Sequence, residues 1–204
     1  MTGVDLQRTF GDVDIYVFDQ LLKGRIRQGD RVLDAGCGSG RNLVYLLGAG
    51  FDVHAVDANP HAVAEVRELA ARLAPGIPAN HFVQSAIESL PWPDHSFSVV
   101  ISSAVLHFAR NHEQFAAMVR EMWRVLDHGG MLFARLASSI GLEHRVEDRG
   151  AGRFGLPDGT ERYLVDEAGL MKWTRELGGQ LLDPLKTTLV QDQRSMTTWV
   201  VRKD

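Results

Sequence analysis

The chain has 204 residues, 45% of them hydrophobic and 24% charged, an ordinary balance for a globular protein long enough to bury one core. Its formal charge of −4 lacks the basic footprint of a dedicated nucleic-acid binder, so no nucleic-acid partner is expected. One cysteine excludes an internal disulfide. No stretch approaches the ~20 apolar residues of a membrane span, and Met1 to Phe10 has no signal-peptide core, so a cytoplasmic protein is expected.

A leading segment from Ile15 to Ile26 sets Val17, Phe18, Leu21, Leu22 and Ile26 at helical spacing. Arg31 to Asp34 reads as a first strand that runs into glycines, and Asn42 to Leu47 as the start of a short helix stopped by Gly48 and Gly50. Asp52 to Asp57 is a second strand. Asn59-Pro60 then starts a helix, the asparagine as cap and the proline preorganised at the first turn. This helix turns Val63, Val66, Leu69 and Leu73 inward. His81 to Gln84 is a third strand, and Phe97 to Ser102, nearly all apolar, a fourth strand buried on both faces.

Asn111 with Gln114 resembles a capping box before a helix whose stripe is Phe115, Met118, Val119, Met122 and Leu126. Met131 to Leu136 is a fifth strand, entered through Gly129-Gly130. Glycines and arginines dominate Gly141 to Arg162. Asp166 caps a helix through Leu177, and Leu181 to Val190 with Thr197 to Arg202 form a closing strand pair. The alternation predicts an α/β protein with a mostly parallel sheet covered on both faces. No repeat or linker divides it. We read one domain over 1–204, with 1–28 as a leading helical segment and 138–165 as an insertion on the substrate side. Nothing in the sequence specifies an oligomeric state, and no metal-ligand pattern stands out.

The stretch that carries chemistry is Val32-Leu33-Asp34-Ala35-Gly36-Cys37-Gly38-Ser39-Gly40. Glycines after a strand let the backbone turn sharply and approach a ligand without a Cβ in the way. About 20 residues on, Asp57 ends the second strand where a carboxylate accepts from ribose hydroxyls. That much suits any nucleoside cofactor. A dinucleotide loop needs a third glycine where this chain has Arg41, and Asp34 is badly placed beside a pyrophosphate but well placed beside an ammonium. Charge therefore favours S-adenosylmethionine, which has an amino group, a sulfonium and no phosphate.

Val32 to Gly40 resembles the first motif of class I S-adenosylmethionine-dependent methyltransferases. His54 to Asp57, Ser89 to Asp94 with Phe97 to Ser102, and Leu126 to Gly130 resemble later motifs of the family, in the right order. Gly38-Ser39-Gly40-Arg41-Asn42 is also similar to tellurite-resistance and thiopurine-type methyltransferases. The resemblance implies a Rossmann-like, seven-stranded, mostly parallel sheet with helices on both faces and an antiparallel last strand. It implies that Asp34, Gly36 and Gly38 contact the methionine part, Asp57 the ribose, and Ala58 the adenine. Ile87 offers a backbone N–H to the adenine edge with Glu88 nearby, and Ser102 and Ser103 line the methyl-donor side. The chain departs from the pattern at Ala86, where an aspartate often meets the adenine amino group, and at Ser98, where an aspartate commonly precedes strand four.

Each of these residues has a plainer reading. Asp57 is otherwise a turn carboxylate, Asp34 a tie between loop amides, and Cys37 a small apolar filler. His107, at the crevice end of the fourth strand, either orients or deprotonates the acceptor or simply packs. Tyr16 and Phe18 either close over the sulfonium or belong to the core. Arg145, Arg149, Arg153 and Arg162 are either a solvated face or a loop that engages an acidic substrate. The expected activity is methyl transfer to a small-molecule acceptor, releasing S-adenosylhomocysteine. Its alternatives are a non-catalytic cofactor-binding module and a nucleotide-dependent oxidoreductase.

Overall fold

The computed structural model describes residues 5–204; the first four residues of the expected leading segment lie outside the described residues. In chain order the elements are α1 (Leu6–Phe10), α2 (Ile15–Leu22), β1 (Arg31–Ala35), α3 (Val44–Gly48), β2 (Asp52–Asp57), α4 (Pro60–Leu73), β3 (Phe82–Gln84), β4 (Phe97–Ser103), α5 (His112–Val125) and β5 (Leu126–Ala137). The remainder are β6 (Glu147–Gly150), β7 (Arg153–Gly155), β8 (Glu161–Tyr163), α6 (Glu167–Glu176), β9 (Gly179–Leu181), β10 (Lys186–Val190) and β11 (Arg194–Lys203).

The main sheet runs β10-β11-β5-β4-β1-β2-β3. Strands β1 to β5 are parallel, and β11 is antiparallel to β5 and β10. This is the Rossmann-like architecture the sequence predicts, with one refinement. The expected strand from Leu181 to Val190 is two pieces, β9 and β10, which pair with successive parts of the same edge of β11. Eight strands thus occupy seven positions. At the break, Asp183 binds Arg25 at 2.7 Å and Lys23 at 3.0 Å, fastening the start of the chain to the end of the sheet.

Alternation along the strands divides the core. Leu33, Val56, Val100 and Leu132 pack under α5 and α6, while Val32, Val53, Val99, Ile101 and Phe133 pack under α2, α3 and α4. A register shift between Phe97 and Val99 sets the phase of β4. There Ser98 accepts from the Arg31 N–H and donates to Asp30, both at 3.1 Å, so its hydroxyl ties β1 to β4 where the family often has a carboxylate.

Caps behave as the sequence predicts at α4, where Asn59 accepts from the His61 N–H, and at α6, where Asp166 accepts from the Gly169 N–H. At α5, Asn111 accepts from the Gln114 N–H, but Gln114 reaches back to the Arg110 N–H, one residue earlier than a capping box requires. Helix α2 stops before the expected Ile26, because Lys23 closes its last turn and Gly24 reverses the chain at φ +62°. Ile26 is nonetheless buried.

Residues 138–165 are not an irregular loop. They fold into an antiparallel meander, β6-β7-β8, whose turns use the left-handed backbone of Gly150, Gly152 and Gly159. A parallel bridge between Ser138 and Val165 closes its base. The meander docks through Tyr163, which stacks on Phe115 at 4.6 Å and bonds His112 at 2.8 Å, and through Arg153, which donates to the Ala109 carbonyl.

Candidate active site

A crevice of about 680 Å³ opens at the C-terminal ends of β1, β2 and β4, where ligands bind in open α/β sheets. The glycine loop forms its floor. Gly36 and Cys37 donate their N–H groups to the Val56 carbonyl, and Gly38 donates to Asp57 Oδ2 at 2.9 Å. Asp57 Oδ1 accepts from the Asn59 N–H at 2.9 Å. One carboxylate thus joins the loop to the start of α4 and keeps lone pairs free.

Gly36 (φ +83°) lies so close to Val105 that a Cβ there would meet the valine at 2.5 Å. Gly40 faces α4, where a Cβ would meet Leu69 and Val66 at 3.0 and 3.1 Å. The close-packing role denied to Arg41 therefore falls to the preceding glycine. The Arg41 side chain turns into the crevice and donates to Ser103 at 2.8 Å.

Of the residues expected at a cofactor, Gly36, Gly38, Asp57, Ala58, Ile87, Glu88 and Ser103 line this crevice together, with Ala86 beside them. Asp34 lies beneath it, fully buried, and both of its carboxylate oxygens lack a hydrogen-bond partner. Burial pushes it up to about 7, the Asp57 carboxylate adding to the rise while the Arg41 guanidinium and the nearby Asn42 amide pull the other way. Ser102 is also buried with an unpartnered hydroxyl, on the opposite face of β4 from Ser103. Burial drives the Cys37 thiol far above its usual range, which makes it inert filler.

His107 does not line the crevice. It is 6% exposed, and its Nδ1 accepts from the Ala137 N–H. Burial, with the positive charges of Arg162 and Arg135, holds it down at about 4. Tyr16 and Phe18 also lie outside: Tyr16 bonds Thr188 at 2.7 Å under the Arg135 guanidinium, and Phe18 packs edge-on against Phe10. Three of the four insertion arginines pair with acids, Arg145 with Asp192, Arg149 with Glu147 and Arg153 with Glu161. Arg162 instead stacks over Phe108, 5.1 Å from its ring centre, and Phe108 does line the crevice.

Sequence reading missed Asp14. Buried at the N-cap of α2, it accepts from Ser103 at 2.8 Å, Arg135 at 3.3 Å and Arg41 at 3.4 Å. Its position just before the helix signals a cap, but nothing local signals partners 89 residues away. Arg110, Gln114 and Met118, which complete the wall on the α5 side, were likewise missed.

At the other end of the sheet, His54 and His81 stack at 3.7 Å beside Asp52. An Arg31 nitrogen lies 3.3 Å from His54 Nε2, so a guanidinium occupies the place a metal would take.

A family model described as "Methyltransferase domain" matches residues 33–134. An uncharacterised methyltransferase of Bacillus subtilis is 37% identical over 68% of this chain and 51% of its own length. A tRNA U34 carboxymethyltransferase of Pseudomonas putida is 32% identical over 85% of this chain and 53% of its own. The chain thus spans about half the length of these curated relatives. Among solved structures, the 1,6-didemethyltoxoflavin-N1-methyltransferase of Burkholderia thailandensis superposes with a TM-score of 0.70 at 19% identity, over 98% of this chain and 81% of that one. The fold, the glycine loop and the matched span agree: the chain belongs to the methyltransferase-domain family, the class I S-adenosylmethionine-dependent group that its motifs resemble.

Proposed function

We propose that this chain binds S-adenosylmethionine in the crevice and directs its methyl group to a small-molecule acceptor. The observation that carries the reading is Asp34, a buried carboxylate with no partner under a glycine loop. A buried charge is costly unless paired, and an α-ammonium supplies the pair. A pyrophosphate in the same place meets Asp34 and Asp57 with like charge. Asp57 has lone pairs left for the ribose hydroxyls, while Ala58 and Ile87 flank the adenine and Ile87 offers its backbone N–H. Gly36 and Gly38 admit the methionine chain.

Bound there, the cofactor supplies an activated methyl: the acceptor's lone pair forms the new bond as the S–CH3 bond breaks, and its electrons stay on sulfur. The protein contributes alignment and exclusion of water. No histidine lines the crevice among the described residues, and a neutral, engaged His107 is a poor base. The acceptor's own lone pair forms the bond, and any proton carried by the accepting atom leaves to solvent through the open mouth of the crevice. Residues 138–165 form the acceptor side, since they buttress the stretch from Leu106 to Ala109 at the mouth.

Calorimetry with S-adenosylmethionine, S-adenosylhomocysteine and NAD tests this reading. The first two bind and NAD does not, and Asp57→Ala weakens binding by about 2–3 kcal/mol. Unchanged affinity in a folded Asp57→Ala protein places the ribose elsewhere. The Pseudomonas relative favours a second reading, an RNA acceptor, against which the net charge of −4 weighs. Methyl incorporation into bulk tRNA distinguishes the two.

A further inference from the structure

Two arginines, Arg41 and Arg110, line the crevice, and Arg135 and Arg162 lie behind and beside them, while the acids of the lining, Asp57 and Glu88, are among the residues expected at the cofactor. Arg41 and Arg135 share a single carboxylate, Asp14. Arg110, which lines the crevice, bonds only the Gln114 amide oxygen, and Arg162 bonds only the Glu161 carbonyl. Among the described residues Arg110 and Arg162 thus have no carboxylate within ion-pair distance, although Asp158 lies near enough to feel the charge of Arg162. In the same wall Phe108 is 57% exposed. A phenyl ring left open at the mouth of a crevice is a stacking surface for a flat molecule. Arg162 lies half-buried over that ring, its Nη1 donating to the Glu161 carbonyl and its other guanidinium nitrogens making no hydrogen bond among the described residues.

We propose that Phe108 and Arg162 form the acceptor subsite, and that it takes a planar small molecule bearing a carboxylate or another delocalised anion. The ring stacks on the plane of the acceptor while the guanidinium bonds its anionic edge bidentately. Arg41 and Arg135 strengthen the field that draws the anion in. This inference rests on the methyltransferase reading only for the cofactor that fills the rest of the crevice. The three insertion arginines already paired with acids take no part.

The test uses the whole chain, saturated with S-adenosylhomocysteine, and two probes of equal shape, benzoate and benzamide. Calorimetry with S-adenosylhomocysteine comes first; if it does not bind, the cofactor reading falls, and the probes are then compared on the free protein. Benzoate is expected to bind at least about tenfold more tightly than benzamide, a difference that added salt erodes. Arg162→Gln removes the preference while S-adenosylhomocysteine affinity stays within about twofold, which shows that the variant is folded. Arg162→Lys restores part of the preference. Phe108→Leu, which keeps the apolar bulk, weakens both probes alike. Equal binding of benzoate and benzamide by the wild type, or binding of neither, overturns the proposal, as does an Arg162→Gln protein that keeps the preference.

Discussion

The Asp14 carboxylate accepts the Ser103 hydroxyl at 2.8 Å in the interior of the protein, joining the N-cap of α2 to the last residue of β4. The same oxygen faces Arg41 and Arg135. Asp14→Asn keeps an acceptor for the Tyr16 N–H but leaves two guanidiniums without a counter-charge. The variant is expected to lose about 1–3 kcal/mol of stability. It also binds cofactor more weakly, because Arg41 and Ser103 lose their anchor. Urea titration and calorimetry measure the two effects. An unchanged urea midpoint with unchanged affinity would show that Asp14 only caps the helix.

With Asp34 facing the cofactor's ammonium as proposed, cofactor affinity is expected to depend on pH. Held up at about 7 in the empty site, it is largely protonated at pH 6 and ionised at pH 8. An ammonium ligand requires the ionised form, so affinity rises through pH 7 and levels off above it. The stability of the empty protein runs the opposite way. Because the native carboxylate binds its proton more tightly than the unfolded one, stability falls as pH rises from about 4 towards 7. The cofactor-induced rise in Tm is therefore larger at pH 8 than at pH 6. Asp34→Asn flattens both trends, and thermal denaturation across pH with and without S-adenosylhomocysteine reads them.

Gly36→Ala places a Cβ against Val105 and a non-glycine residue at φ +83°. The two penalties are separable. The single variant is expected to lose at least ~2 kcal/mol. Val105→Ala in the same chain recovers the steric part and leaves the backbone strain. A double-mutant cycle by denaturant unfolding gives a coupling of opposite sign to the single losses. Strict additivity means that the loop moves away from Val105 instead.

Acid weakens the far end of the sheet through His54. Burial, the neighbouring His81 and Arg31 hold His54 down at about 4 against the pull of Asp52. A depressed histidine contributes stability present above its unfolded value and lost as pH falls from about 6.5 to 4. His54→Phe keeps a stacking ring and removes the titration. The difference in unfolding free energy between wild type and variant should therefore change across that window and be flat above pH 7. A constant difference from pH 4 to 8 rules out His54 as the titrating group.

Elements with a periodic pattern and a chemical boundary were readable from sequence. β2 runs from Asp52 to Asp57 as the alternation predicts, and α4 begins where Asn59 and Pro60 place it. Glycines that mark turns misled in 138–165, because short antiparallel strands of three or four residues carry almost no pattern of their own. The break between β9 and β10 escaped notice for another reason. It is set by Asp183 meeting Lys23 and Arg25, about 160 residues earlier. The glycine-loop half of the crevice was legible because its residues lie in local motifs. The arginine wall was not, since Asp14, Arg41, Ser103 and Arg135 are brought together only by the sheet order.

That order also governs assembly at the ribosome. β11 follows both β5 and β10 in the chain, yet lies between them. Until 194–203 is in place, β5 presents an open edge along its apolar run from Met131 to Ala134, and β10 has no partner. An unpaired apolar edge invites pairing with another nascent chain. Only when 194–203 arrives are β5, β9 and β10 all satisfied at once. β11 therefore acts as a fastener, closing β5 on one side and β9 and β10 on the other.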